Sequence, residues 1–390
     1  MISVTLAQAR HFILQKNYLS TRQASDLSQL VQDIVALPAD PSTTSFLAIQ
    51  ARLANFSPDD LLTALERARL LLKNSLMRGA PFIIKADHYP TFYAATARQR
   101  NKDFNAEFRL WGIEHNADIE ALGDLIVPMM SDMPLDIKTI MAQLPVGSVK
   151  RLTQTSRGGR VTETTNVVLA LRWLVANGRL YAANRSTDWR SESPVYGLLN
   201  HWYPDLDLTA VPSEAEAQKT LVRRYLAAFG PATEADVSFW TGFGKSETAR
   251  AIGALAGEMT MAMVQGSSGI LLLLKSQIDA LRSIDPPAEP VVNVLPADDP
   301  FVIAHRASRA RYFSDQTLQR RVFNSAGAAK PTILVNGQIV GLWGWDQSAA
   351  QSTLTWQLLT EVDPAVITLI EAEIERVAEF VEAKEIGEEN

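Results

Sequence analysis

The apolar positions of this chain fall into short helical and alternating runs, cut by glycine, proline and Asn-Gly signals. Leu6, Ala9, Phe12 and Ile13 share one helical face, and Leu27, Leu30, Val31 and Ile34 share another, predicting two helices before a turn at residues 38–42. Ser57 and Pro58 then read as the N-cap and first position of a further helix. Two apolar runs within residues 74–84 flank Arg78-Gly79-Ala80-Pro81 and predict a hairpin. Phe92, Tyr93, Phe104, Phe108 and Trp111 recur at helical spacing and read as packing residues. Residues 135–144 and 161–177 predict a helix pair separated by Ser156-Arg157-Gly158-Gly159-Arg160, and residues 179–183 and 195–199 a second hairpin.

The sharpest pattern lies at residues 230–255. Thr233 and Asp236 form a capping-box start, residues 241–244 a glycine-containing turn, and Ser246 the expected cap of a second short helix. Residues 259–264 alternate like a strand, 265–269 form a Gly-Ser turn, and 270–274 are apolar. Helix, turn, helix and hairpin in that order outline a winged helix, and weaker outlines occur twice upstream. Beyond Pro286, Pro287 and Pro290 the pattern changes to strands at 291–295, 332–335 and 338–343, the last two joined by Asn336-Gly337, which predicts a small sheet or barrel. A final helix over residues 364–384 puts Val366, Ile370, Ile374, Val377 and Val381 on one stripe.

The fold class expected is therefore α+β, mainly α. The segments are winged helix 1 at 1–90, a helical connector at 91–130, winged helix 2 at 131–210, winged helix 3 at 211–285, a β-barrel-like domain at 286–355 and an acidic C-terminal helix at 356–390.

Charge changes this picture by its distribution. The chain carries a net −6, but residues 361–390 hold ten acidic and two basic residues, so residues 1–360 are slightly positive. Residues 150–190 hold eight Lys and Arg against two acids, and residues 305–321 five Arg against one Asp. Any single cluster of this kind is usually just a solvated face. Their position on expected turns and wings points to a phosphate backbone. With no cysteine, disulfides and thiolate metal sites are excluded. The five histidines never fall in metal-ligand spacing, so neither metal nor cofactor is expected. Gly242-Phe243-Gly244-Lys245-Ser246 imitates the end of a P-loop, but Phe239 stands where its first glycine belongs. No apolar run approaches a membrane span and the N-terminus lacks a signal-peptide pattern, so a cytoplasmic, nucleoid-associated protein is expected.

Seven segments in order resemble the winged-helix superfamily that contains the interstrand-crosslink DNA glycosylases of the AlkZ and YcaQ type: residues 6–19, 47–52, 76–84 (LMRGAPFII), 188–204, 230–240, 295–311 and 330–345. The resemblance implies three tandem winged helices in a C shape with a C-terminal β-barrel, double-stranded DNA in a basic concave face, and excision of bulky or crosslinked alkylated purines without a metal. The family's catalytic signature is Gln, an apolar residue, then Gln or Asp. Gln50-Ala51-Arg52 matches its first position and departs at its last, and Phe82 stands where the family usually has His.

Read as extended chain, Gln50 and Arg52 face one site, where Arg52 opposes an oxocarbenium-like transition state or grips a phosphate. Gln50 and Arg52 are the catalytic candidates. Arg78, Phe82, Arg157, Arg160, Arg185, Trp189, Arg190, Lys245 and Arg306 are the candidates for DNA contact. Asp298 and Asp299 read as turn formers before Pro300, and His305 as either a DNA contact or a cap. Two functions stay open: a monofunctional glycosylase acting as a monomer, and a non-catalytic DNA-binding or regulatory protein in which Arg52 has replaced the catalytic partner. A protein-interaction module is a third, because winged helices do not all bind DNA.

Overall fold

Local capping sets where most helices begin. Thr5 and Gln8 form a reciprocal capping box before the helix Leu6–Lys16, and Thr233 and Asp236 form another before Glu234–Thr241. The computed structural model describes residues 2–22, 24–130, 133–155, 158–186, 188–265, 269–346 and 353–382, and its mixed α/β chain packs as two units.

The first unit joins residues 1–61 to residues 219–390. In its helix-turn-helix, Gly242 ends the helix Glu234–Thr241 at φ 78°, a left-handed conformation open to glycine without a Cβ penalty. The next helix, Lys245–Ala254, starts two residues earlier than a Ser246 cap would set it. Gly244 is its N-cap, and the Glu247 carboxylate accepts the Gly244 N–H at 2.8 Å. Strands Met259–Val264 and Leu271–Leu274 follow as an antiparallel hairpin, whose expected turn falls partly outside the described residues. The N-terminal strand Ile2–Val4 adds to this hairpin in parallel, a pairing across the length of the chain that no local pattern announces.

The same unit contains an antiparallel meander of Val292–Leu295, Thr332–Val335, Gln338–Asp346 and Thr353–Leu358. Asn336 and Gly337, both at positive φ, turn the central hairpin. Its strand order is open among the described residues. Phe301, Tyr312, Val322, Leu334 and Ile339 form a core beside it with Ile13, Leu14 and Ala51. The C-terminal helix Pro364–Glu382 buries Ile370, Ile374, Val377 and Val381, four of the five residues of the expected stripe.

The second unit spans residues 62–218. Strands Leu71–Ser75 and Pro81–Lys85 form the expected hairpin, with Arg78 at φ 56° and Gly79 at φ 68° in its connection. Helices Ala97–Leu110, Asn116–Ile126 and Asn166–Ala176 bury Phe104, Phe108, Ile119, Leu122, Leu171 and Leu174 in one core. Leu180–Asn184 and Pro194–Leu198 form a further hairpin, extended by Leu135–Asp136.

The helix expected over residues 161–177 is shorter than its pattern. Its first five residues, Val161–Thr165, form a two-stranded ribbon with Arg151–Thr155, and Thr165 caps the helix that follows. Three threonines and a valine in five residues favour the pleated conformation over a first helical turn.

Candidate active site

Gln50 is the last residue of the helix Thr43–Gln50, in which every residue is buried. This corrects the extended reading: Gln50 and Arg52 do not share a strand face, because the backbone is helical through Gln50 and turns after it. A helix made of Thr43, Thr44, Ser45, Phe46, Leu47, Ala48 and Ile49 has no charged face and sits wholly inside the first unit. Ser45 donates to Pro38 O at 2.7 Å and so satisfies its buried hydroxyl. Gln50 itself is 5% exposed, and its Oε1 is buried with no hydrogen bond from any described residue.

Arg52 does not present a cation to solvent. Its Nη1 and Nη2 donate to Asp299 Oδ2 and Oδ1 at 2.8 and 2.7 Å, and neither side chain is exposed. Nη1 also donates to Ala48 O at 2.8 Å. Asp299 is at once the N-cap of the short helix Pro300–Ile303, accepting the Phe301 N–H at 2.9 Å. The turn role expected of Asp299 holds, and the ion pair is added to it.

On the other side of Gln50 lies the C-terminal helix. Arg376 Nη1 donates to Gln50 O at 3.3 Å, and Glu373 Oε2 accepts from both Arg376 and Arg22. Burial lowers the Arg376 pKa, and Glu373 counters that shift. Phe380 of the same helix stacks on Phe56 with centroids 5.8 Å apart. None of Arg22, Glu373 and Arg376 stands out in the sequence, since the contacts that bring the C-terminal helix to Gln50 and Arg22 span more than 300 residues.

Two aromatic candidates for DNA contact are core residues. Phe82 is 3% exposed on the strand Pro81–Lys85, and Trp189 is also 3% exposed. Their expected contact with a ligand is corrected by that burial. The signal for Trp189, an aromatic among arginines, is equally that of a side chain covering apolar residues. Arg190 is held locally: its Nε donates to Asp188 Oδ1 at 2.7 Å. Burial pushes the Asp188 carboxyl upward, but the hydrogen bonds from Arg190 outweigh it and leave its pKa lowered.

Arg160, Arg185, Lys245 and Arg306 are exposed, and Arg78 is half-buried. Arg160 ends the turn of the two-stranded ribbon, whose Arg151 is 76% exposed on its side chain and pairs with Glu163 at 3.6 Å. Lys245 opens the second helix of the helix-turn-helix, and the Arg306 guanidinium lies 5.0 Å from the centroid of Phe239. Arg157 lies outside the described residues.

His305 is fully buried. Its Nδ1 meets the Tyr312 hydroxyl, and its Nε2 lies 3.0 Å from Phe229 O. Burial, then the nearby Arg311 charge, lowers its pKa to about 3, so the ring is neutral and serves packing rather than DNA. Among the described residues no group of His, Asp and Glu is arranged to hold a metal ion, and no helix is long and apolar enough to cross a membrane.

The family described as DNA glycosylase AlkZ-like matches residues 31–380. No curated protein matches. The solved structure of the Streptomyces sahachiroi DNA glycosylase AlkZ is similar over 97% of each chain at 18% identity, with a TM-score of 0.75. That likeness is one of fold, and the family match spans most of the chain, Gln50 and the C-terminal helix included. The chain belongs to the AlkZ-like DNA glycosylase family.

Proposed function

We propose that this protein is a monofunctional DNA glycosylase that removes bulky or crosslinked alkylated purines from duplex DNA, with Gln50 aligning the attacking water. The observation that carries this reading is the Gln50 amide, nine-tenths buried at a helix end with Oε1 unpaired by any described residue. Asn17, Asn74, Gln277 and Asn293 also leave a buried amide oxygen unpaired, so what sets Gln50 apart is its place at the first position of the family's signature, within the matched residues.

The chemistry suits an amide. Alkylation at N7 places a positive charge on the purine, so when the C1′–N9 bond breaks its electron pair neutralises the leaving base. The sugar left behind is oxocarbenium-like. A water whose proton is hydrogen-bonded to Gln50 Oε1 has a lone pair directed at C1′, and the C–O bond forms as the proton passes to solvent. The amide orients and tolerates positive charge without itself taking the proton. No metal enters this scheme.

The departure at Arg52 does not oppose it. Because Asp299 pairs with both terminal nitrogens of Arg52 inside the protein, no net charge faces the developing cation. The charge of Arg52 therefore gives no reason to prefer the non-catalytic alternative.

Duplex binding falls to Arg78, Arg160, Arg185, Arg190, Lys245 and Arg306. Two stretches in which helices precede a hairpin, within residues 131–210 and 211–285, are read as winged helices, and the meander as the barrel-like element; residues 1–90, read as a third, divide between the two units after residue 61. The reading includes a monomer acting on nucleoid DNA in the cytoplasm.

The test is incubation with duplexes carrying N7-alkylguanine or a nitrogen-mustard crosslink, then alkali to cut abasic sites. Cleavage by the wild type and none by Gln50→Ala is expected. An inactive wild type that still binds DNA sinks the enzymatic reading.

A further inference from the structure

An α-helix leaves its last four carbonyls without partners inside the helix. For the helix Thr43–Gln50 all four can be accounted for. Leu47 O accepts the Ala51 N–H, and Ile49 O accepts the N–H groups of Arg52 and Leu53. The other two go to guanidinium groups: Ala48 O to Arg52 at 2.8 Å and Gln50 O to Arg376 at 3.3 Å. Cations at a helix C-terminus also meet the negative end of its dipole, so both contacts are favoured twice over.

Each of these guanidiniums is itself held. Arg52 is locked by Asp299, and Arg376 by Glu373, whose Oε2 Arg22 also contacts. Arg376 Nη2 is buried without a partner among the described residues, as is Gln50 Oε1. Arg376 contacts the Gln50 backbone rather than its side chain.

We propose that Arg376, oriented by Glu373, is a positioning residue for Gln50: it fixes the backbone that carries the amide. The inference rests on Gln50 being the water-orienting group. Arg376 does not touch substrate in this role, which separates it from a phosphate contact, the usual reading of a half-buried arginine in a DNA-binding protein.

The experiment uses the full-length protein and an N7-methylguanine duplex under single-turnover conditions. Arg376→Ala is expected to lower the rate at saturating DNA tenfold or more. Its affinity should stay within twofold of wild type, and the slope of log affinity against log salt should not change. Arg376→Lys should recover part of the rate, and Glu373→Gln, which frees the guanidinium, should lower it less than Arg376→Ala does.

An unchanged rate in Arg376→Ala beside an inactive Gln50→Ala overturns the inference and leaves the glycosylase reading standing. A weaker affinity with a salt slope smaller by about 1 overturns it in favour of a phosphate contact. If Arg376→Ala does not fold, wild-type rates in both Arg376→Lys and Glu373→Gln overturn the inference equally. A wild type without activity removes both readings at once.

Discussion

Ser308 donates its hydroxyl to Asp236 Oδ2 at 2.6 Å, tying the first turn of a helix to a loop seventy-two residues away. The same carboxylate accepts backbone N–H groups through Oδ1 from Arg306, Ala307 and Ser308 at 2.8, 2.7 and 3.2 Å, while capping the helix at Thr233. Asp236 therefore shapes the loop that presents Arg306. Burial pushes its carboxyl upward, but the nearby His305 and the hydrogen bonds from Ser308 and Thr233 outweigh that and hold it well below the usual range.

Asp236→Ala should thus cost more than a helix cap alone. Removing the carboxylate leaves the buried Ser308 N–H and hydroxyl and three half-buried N–H groups without their acceptor, so a loss of about 2–3 kcal/mol is expected, against about 1 for an exposed cap. Urea unfolding measures it. Because the folded carboxyl is depressed, its stabilisation is present above the ordinary Asp pKa and disappears as pH falls through the folded value.

A buried and a half-buried titrating group give the units opposite pH dependences. His305, lowered to about 3 in the folded first unit, takes its proton near 6.5 when unfolded, so that unit should lose stability as pH falls from about 6.5 toward 3. Glu66, in the second unit, is raised to about 7 by burial, with partial relief from the Asn184 N–H and Lys73. Protonation there favours the folded state, so its contribution is complete below about pH 4.5 and is lost as pH rises through 7. Hydrogen exchange at pH 5 and pH 8 should show the second unit less protected at the higher pH. Glu66→Gln should remove that difference, and persistence of the difference would show that another group causes it.

Gln50→Leu should separate stability from activity. The substitution removes a buried acceptor that no described residue pairs with, so unfolding free energy should be unchanged or rise by about 1 kcal/mol, while base excision is lost. A stability loss of several kcal/mol would mean that the amide is structural.

The buried pair should behave as one element. Arg52→Ala or Asp299→Ala alone leaves an uncompensated charge in the interior and should destabilise by about 3–5 kcal/mol. The double variant should cost clearly less than the sum of the two, and strict additivity would mean that the two side chains act independently.

DNA affinity should fall steeply with salt, and each phosphate contact removed should flatten the slope. Arg160→Ala and Arg185→Ala, both exposed in the second unit, are expected to reduce its magnitude by about 0.9 each with no loss of stability. A slope that neither variant changes would take these residues out of the interface.

Much of the secondary structure could be read locally. The Thr233 capping box, the Asn336-Gly337 hairpin and the apolar stripe of the C-terminal helix depend on residues at most a few turns apart, where side-chain chemistry acts directly on the backbone. Where local signals competed, the pattern misled: Gly244 rather than Ser246 caps a helix, and Val161–Thr165 pairs as a strand because Arg151–Thr155 is there to pair with it.

The ordered family segments also pointed to Gln50. By itself, then, the sequence determined the family, the hairpins and helices, and which amide to suspect. Tertiary structure alone decided the meaning of the neighbouring charges. The cost of burying Arg52 is met by a carboxylate 247 positions away, and Gln50 O is capped by a guanidinium 326 positions away. Burial also turned Phe82, Trp189 and His305 from surface candidates into core. An ion pair or a buried ring is a property of what surrounds a residue, and those surroundings come from parts of the chain that no spacing rule connects.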